Sequence, residues 1–409
     1  MCTWTVNAVI DHFNRGGNHV FAASMDMSKA FDMVSWHVLF STLMERKVDG
    51  LFLRLLLYIY MNQECDVKWC GEHSATFSVR NGVRQGAVSS GILFAVYIDS
   101  LLQELRDSGF GCRIKGIFFG ALVFADDVFL LSASRSGLQE MVNICQRFAS
   151  SRNLKFGTNA DPVKSKTKCL IFSNKNIVQD KFKRIVLDGN ELPWVDSVKH
   201  LGHLLQRDNS MRLDIAKKRA TFIAKTNSLL QEFSNVSTEV FMKLLNSFAI
   251  NLYGSNLWYL FGKDCNKLYT SYNVAMRMIL NVDRRTHRFL LEPLSNALHL
   301  KTVLASRFVT FTSHKKLPVR FLARLFENDL RTVHGKNLSE IALICGEPIE
   351  LLTSSKVKGM LRYKSLPATE SWRLGICEEL MSVRDNEGSH IMGFSSDEVN
   401  ELLRFTCVS

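Results

Sequence analysis

Two adjacent aspartates inside an apolar run constrain this chain more than any other feature. Phe124-Ala125-Asp126-Asp127 lies between Gly120-Ala121-Leu122-Val123 and Val128-Phe129-Leu130-Leu131. Neighbouring carboxylates repel, and neither can be buried ionised without a counter-charge. Apolar runs on both sides predict a hairpin over residues 114–131 with the acidic pair at its tip. A pair of divalent cations is the partner that best suits such a tip.

Composition sets the outer limits. The chain has 409 residues, too many for one ordinary domain, and 46% of them are apolar. Its net charge of +12 suits a polyanionic partner, nucleic acid above all. Ten cysteines are scattered with no CxxC pair, which reads as reduced core thiols in an intracellular protein. No signal peptide follows Met1. The apolar run at residues 51–60 falls short of the roughly 20 residues a membrane span needs and reads as a buried core helix.

Strand and helix patterns alternate up to about residue 205. Residues 18–25 form an apolar strand ending at Asp26, and a helical spacing runs from Phe31 through Val34 and Leu39 to Leu43. Residues 65–79 alternate around Gly71 as a hairpin. The glycine-punctuated loop Asn81-Gly82-Val83-Arg84-Gln85-Gly86 precedes a helix that Ser89 or Ser90 can cap. Ser136 with Gln139 fits a capping box for the helix after the hairpin. Residues 168–173 read as a strand. Beyond about residue 210 the chain is helical and basic, with its clearest helices at 238–257 and 269–280, and with clusters at Lys217-Lys218-Arg219 and Arg284-Arg285.

The order of these pieces resembles the polymerase palm of reverse transcriptases, and their wording resembles the non-LTR (LINE-type) retrotransposon branch. Asp26-Met27-Ser28-Lys29-Ala30-Phe31-Asp32 looks like motif A, residues 82–94 like motif B, and Phe124-Ala125-Asp126-Asp127 like motif C. Residues 161–172 look like motif D, and Leu201-Gly202-His203-Leu204-Leu205 like the motif E primer grip. Group II intron maturases and telomerase share the palm, but the wording around Asp26 and Phe124 favours the LINE-type branch.

The resemblance implies an α+β fold over residues 1–210: an antiparallel palm sheet with packed helices and a remnant of fingers. A helical thumb would occupy 211–300 and a helical extension 301–409. It also implies RNA-directed DNA polymerase activity, with an RNA template, a DNA primer, dNTPs and no membrane. Asp26 and Asp126 would bind two Mg²⁺, or Mn²⁺, about 4 Å apart, assisted by Asp127 and the Met27 carbonyl. Phe31 would be the steric gate against a ribose 2′-hydroxyl; without the motif it reads as a helix-face core aromatic. Arg84, Gln85 and Gly86 would line the nucleotide pocket, where an isolated copy would be only a turn and a surface arginine. Lys166 is the choice for the motif D proton donor, with Lys164 and Lys168 as rivals.

Two departures qualify the expectation. The triphosphate-holding fingers expected before residue 3 are missing, so an N-terminally truncated element is expected. A catalytically inactive remnant that only binds nucleic acid is the alternative. Gly91 stands where the family usually has Pro. Reverse transcription primed on a chromosomal target would need access to the nucleus.

Overall fold

A computed structural model describes residues 2–159, 161, 164–175, 181–233, 236–313 and 332–364. Part of the motif D stretch and residues 365–409 of the expected extension lie outside the described residues. The chain divides into two compact units, Met1–Ser210 and Met211–Ser409.

The first unit is built on a four-stranded sheet. After helix α1 (Cys2–Arg15), strand β1 (Val20–Asp26) leads into a turn and helix α2 (Trp36–Glu45). The helical spacing read from Phe31 is therefore entered only at Trp36; residues 28–33 turn instead, with Lys29 at φ +51°. Helix α3 (Gly50–Met61) is capped by Asp49, whose carboxylate accepts from Leu51 N and Phe52 N. A small double ladder follows, β2 (Glu64–Cys65) with β5 (Phe77–Ser78) and β3 (Lys68–Trp69) with β4 (Glu72–His73). Helix α4 (Ser90–Asp107) then precedes β6 (Arg113–Ile114), β7 (Ile117–Phe118), β8 (Ala121–Phe124) and β9 (Asp127–Ser132). Helix α5 (Arg135–Ser151) and β10 (Lys168–Phe172) complete the sheet and its cover, trailed by the hairpins β11 (Val186–Leu187)–β12 (Asn190–Glu191) and β13 (Ser197–His200)–β14 (His203–Gln206).

The sheet order is β10-β1-β9-β8, antiparallel throughout. Both faces are covered, so β1 reads as a continuous apolar run. Phe21, Ala23 and Met25 share a core with Leu93, Tyr97 and Leu101 of α4 and with Leu138, Met141 and Phe148 of α5. On the opposite face the Phe129 ring sits 4.7 Å from His200 of β13, and α1 lies against β1 and β8.

Three further expectations for the first unit change. The helix at 50–61 is largely exposed, not core: Leu51 is 71% and Tyr58 68% accessible, and only Leu56 and Tyr60 are buried. Apolar residues on every side of α3 hid which face packs. The cap of α5 is Ser134, which accepts from Gly137 N, and not Ser136. Gln139 instead bonds the backbone of Val186 as both donor and acceptor, tying α5 to β11. Ser89 precedes α4 without a side-chain cap bond.

The second unit is helical. Helix α6 (Arg212–Glu232) is followed by α7 (Thr238–Leu244), which widens into a π-helical turn at Leu245–Ala249 and ends there, so the helix expected to reach residue 257 is broken. A 3₁₀ turn (Ser255–Leu257), α8 (Lys263–Ile279), the short α9 (Leu291–Ser295) and α10 (Leu300–Thr312) follow, then helices Val333–Cys345 and Ser354–Lys364. The core centres on Trp258, whose indole N–H donates to the buried Asp214 carboxylate at 3.0 Å. Asn337 accepts from Leu260 N and donates to the Trp258 carbonyl, closing both amide groups inside the core.

Candidate active site

The strand register places the acidic residues. Asp26, the last residue of β1, pairs directly with Asp127, the first of β9. Asp127 also pairs with Phe124 across a two-residue loop, Ala125-Asp126, with Ala125 at φ +52°. Met27 N donates to the Asp126 carbonyl at 3.3 Å, locking the loop to the end of β1. Residues a hundred positions apart thus meet at one sheet end. All three carboxylates are partly exposed.

Their charge is incompletely balanced. Burial pushes the Asp127 carboxyl above the usual range, Asp126 and then Asp26 push it further, and Lys199 pulls it back. Lys166 Nζ stands 3.4 Å from Asp26 Oδ2, a pair open to solvent on both sides. Solvent-exposed pairs contribute at most about 1 kcal/mol, so this ammonium is an exchangeable counter-charge. Among the described residues, no group of three or more His, Cys, Asp or Glu side chains forms a ready-made metal cage. The donor set nonetheless fits a hard divalent cation, because it is all oxygen and carries uncompensated negative charge.

Gly157 makes the Lys166 approach possible. Its N–H donates to the Asp26 carbonyl at 2.8 Å, and its carbonyl accepts from Thr167 N at 3.0 Å. A methyl group there would press on Lys166 Cβ and Cδ at 3.2 Å. Neither Gly157 nor Lys199 was singled out from the sequence, since only tertiary folding brings them to the carboxylates. Lys164 faces Asp161 instead, at 3.8 Å, and Lys168 starts β10.

The motif B loop is laced to the turn after β1. Val83 N donates to the Phe31 carbonyl, Gly82 N to the Val34 carbonyl, and the Trp36 indole to the Gly82 carbonyl. Gln85 Nε2 donates to Asp32 Oδ1 at 3.2 Å. Phe31, half-buried in the turn, stacks on Phe94 with centroids 4.9 Å apart and planes 19° apart. Arg84, Gln85 and Gly86 remain exposed, Gly86 at φ +85°. Leu201 and Gly202 both take positive φ, as a tight hairpin between β13 and β14 demands. His203 is buried on β14.

The antiparallel sheet, with aspartates paired at one end and helices packed on it, has the α+β arrangement of a polymerase palm. Residues 2–205 match the reverse transcriptase (RNA-dependent DNA polymerase) family, and through them the chain belongs to that family. The branch is the non-LTR one. The chain is 30% identical over 207 residues to the Pol polyprotein of the type-2 retrotransposable element R2DM of Drosophila melanogaster, covering 48% of this chain and 18% of that protein. It is 28% identical over 189 residues to the Pol polyprotein of the type-1 element R2 of Nasonia vitripennis, covering 45% and 18%. The chain thus spans under a fifth of the length of these relatives. Telomerase of Candida albicans, solved with a fragment of telomeric RNA, superposes at TM-score 0.41 and 11% identity, over 93% of this chain and 52% of that one. So slight a likeness adds nothing to the assignment. Enzymes of this family use divalent metal ions. No helix among the described residues is long and apolar enough to cross a membrane.

Proposed function

We propose that this palm carries out RNA-directed DNA synthesis, transferring a nucleotide from a dNTP to the 3′-hydroxyl of a DNA primer paired with an RNA template. The observation that carries this reading is the register setting Asp26 against Asp127 with Asp126 at the turn between strands. Asp26 and Asp126 would hold two Mg²⁺, or Mn²⁺, with Asp127 and the Met27 carbonyl assisting. The ions would supply an activated 3′-hydroxyl and neutralisation of the triphosphate charge.

The chain's own groups do the rest. Lys166, 3.4 Å from Asp26, would give a proton to the departing pyrophosphate once a stronger counter-charge displaces it. Phe31, fixed by Phe94, would close the pocket against a 2′-hydroxyl. Arg84, Gln85 and Gly86 would line the nucleotide site, with Gln85 oriented by Asp32. Lys199, which acts electrostatically on Asp127, is suited to hold a primer phosphate beside the carboxylates. Insertion into chromosomal DNA would place this work in the nucleus.

Primer extension on poly(rA)/oligo(dT) with Mg²⁺ tests the reading. Asp126→Ala is expected to lower incorporation at least a hundredfold while leaving the thermal midpoint nearly unchanged. Equal incorporation by both proteins would overturn it.

A further inference from the structure

The second unit contains a cleft that the polymerase reading does not use. It has a volume of about 400 Å³ and lies between the π-helical turn with its following loop and α10. Three asparagines, Asn246, Asn251 and Asn256, share the lining with Tyr253, Phe311 and Arg307. No acidic residue is among the described residues that line it.

The lip is built and held. Ile250 N reaches back to the Leu245 carbonyl at 2.9 Å, closing the wide turn, and Gly254 takes φ +81° to bring the chain around. Short π-helical segments of this kind occur often at functional sites. Ile250, Leu252 and Ser255 are buried beneath the lip, and the neighbouring Trp258 is pinned to α6 through Asp214. Tyr253, by contrast, is 60% exposed and Phe248 49%. Both rings carry cations from α6: Lys218 Nζ lies 5.9 Å from the Tyr253 centroid and Lys225 Nζ 4.4 Å from that of Phe248.

Each part answers to one part of a nucleotide. Amides offer donor and acceptor together, as the Watson–Crick edge of a base requires. An exposed ring gives a stacking face that any base can use, and Arg307 with the lysines of α6 attracts phosphate. A base inside a duplex cannot enter such a cleft, whereas an unpaired one can be turned into it. We infer that this cleft binds an unpaired nucleotide of a single-stranded nucleic acid. The inference stands on the cleft's own lining and does not depend on catalysis by the palm.

Fluorescence anisotropy of the full chain with labelled twelve-nucleotide single strands, RNA and DNA, tests it, with a duplex of equal length as the contrast. Tyr253→Ala and Arg307→Ala change exposed side chains, and circular dichroism checks that each folds. Each is expected to weaken single-strand binding about tenfold and duplex binding little, with Tyr253→Phe restoring the affinity. A larger loss on RNA assigns the cleft to the template, and a larger loss on DNA to the primer strand or its target. Photocrosslinking of a 5-iodouridine strand is expected to mark the peptide around Tyr253 in wild type and in Asp126→Ala alike. Unchanged single-strand affinity in both variants, an equal loss on duplex, or crosslinks confined to the first unit would overturn the inference. Failure of primer extension alone would count against the palm and leave these readouts intact.

Discussion

A methyl group at Gly82 would meet Asp32 Cα, the Asp32 carbonyl and the Phe31 carbonyl, each at 3.0 Å, with the backbone already at φ +88°. Backbone cannot move aside as a side chain tip can, so the loop and the turn after β1 depend on the missing Cβ. Gly82→Ala is expected to cost about 2–4 kcal/mol, read as a lower urea midpoint; an unchanged midpoint would show that the two segments move independently. Phe31 offers a chemical counterpart. Its ring rests on Phe94, so Phe31→Val removes bulk from the proposed gate without altering the backbone. The ratio of ribonucleotide to deoxyribonucleotide kcat/KM is expected to rise about tenfold to a hundredfold, and an unmoved ratio would remove Phe31 from the gate. Asp26, Asp126 and the Arg84-Gln85-Gly86 loop were legible because each stands in a contiguous motif. Gly157 and Lys199 were not, because one is a glycine in a polar stretch and the other an ordinary strand lysine.

At the level of elements, the strands were read more accurately than the helix ends. β1, β9 and β10 are apolar runs bounded by charge, and burial on both faces leaves that signature little ambiguity. Helix starts depend on one hydrogen bond, which several serines could supply. Ser134→Ala is expected to lower stability by about 1 kcal/mol through loss of the bond to Gly137 N, while Ser136→Ala is nearly neutral. Equal effects on the thermal midpoint would reinstate the capping box. The wide turn at Leu245–Ala249 had no local mark either, since Leu-Asn-Ser-Phe-Ala reads as ordinary helix. The exposed face of α3 shows the same limit: periodicity cannot choose a packing side when every side is apolar.

At the scale of the whole molecule, three histidines make folding sensitive to acid, His200 and His334 buried and His299 half-buried. His200, His299 and His334 are each depressed to about 4, chiefly by burial, from an ordinary 6.5. Below pH 6.5 the unfolded chain takes up protons that the folded chain refuses, so stability is complete above that pH and falls toward pH 4. The loss is on the order of 3 kcal/mol for each group. Thermal unfolding across that range is expected to show a falling midpoint, and a level one would mean the rings are hydrated when folded. His200 is tied to Thr3 by a 3.1 Å bond, so α1 is expected to loosen with it. The sequence marked the break near residue 210 by a change from mixed to helical patterning. It could not show how the second unit closes around Trp258, because the partners Asp214 and Asn337 are polar residues with no apolar periodicity to betray them.

The pairing of Asp26 with Asp127 has a consequence for how this chain can fail. Side chains alternate along a strand, so slipping β1 by one residue past β9 would misalign the carboxylates and also turn Phe21, Ala23 and Met25 away from the helices. Misalignment of the carboxylates by such a slip is thus bound to loss of the interior. A slipped register is therefore selected against by the core itself, and the oily half of the sheet acts as proofreader for the strand alignment at its acidic end.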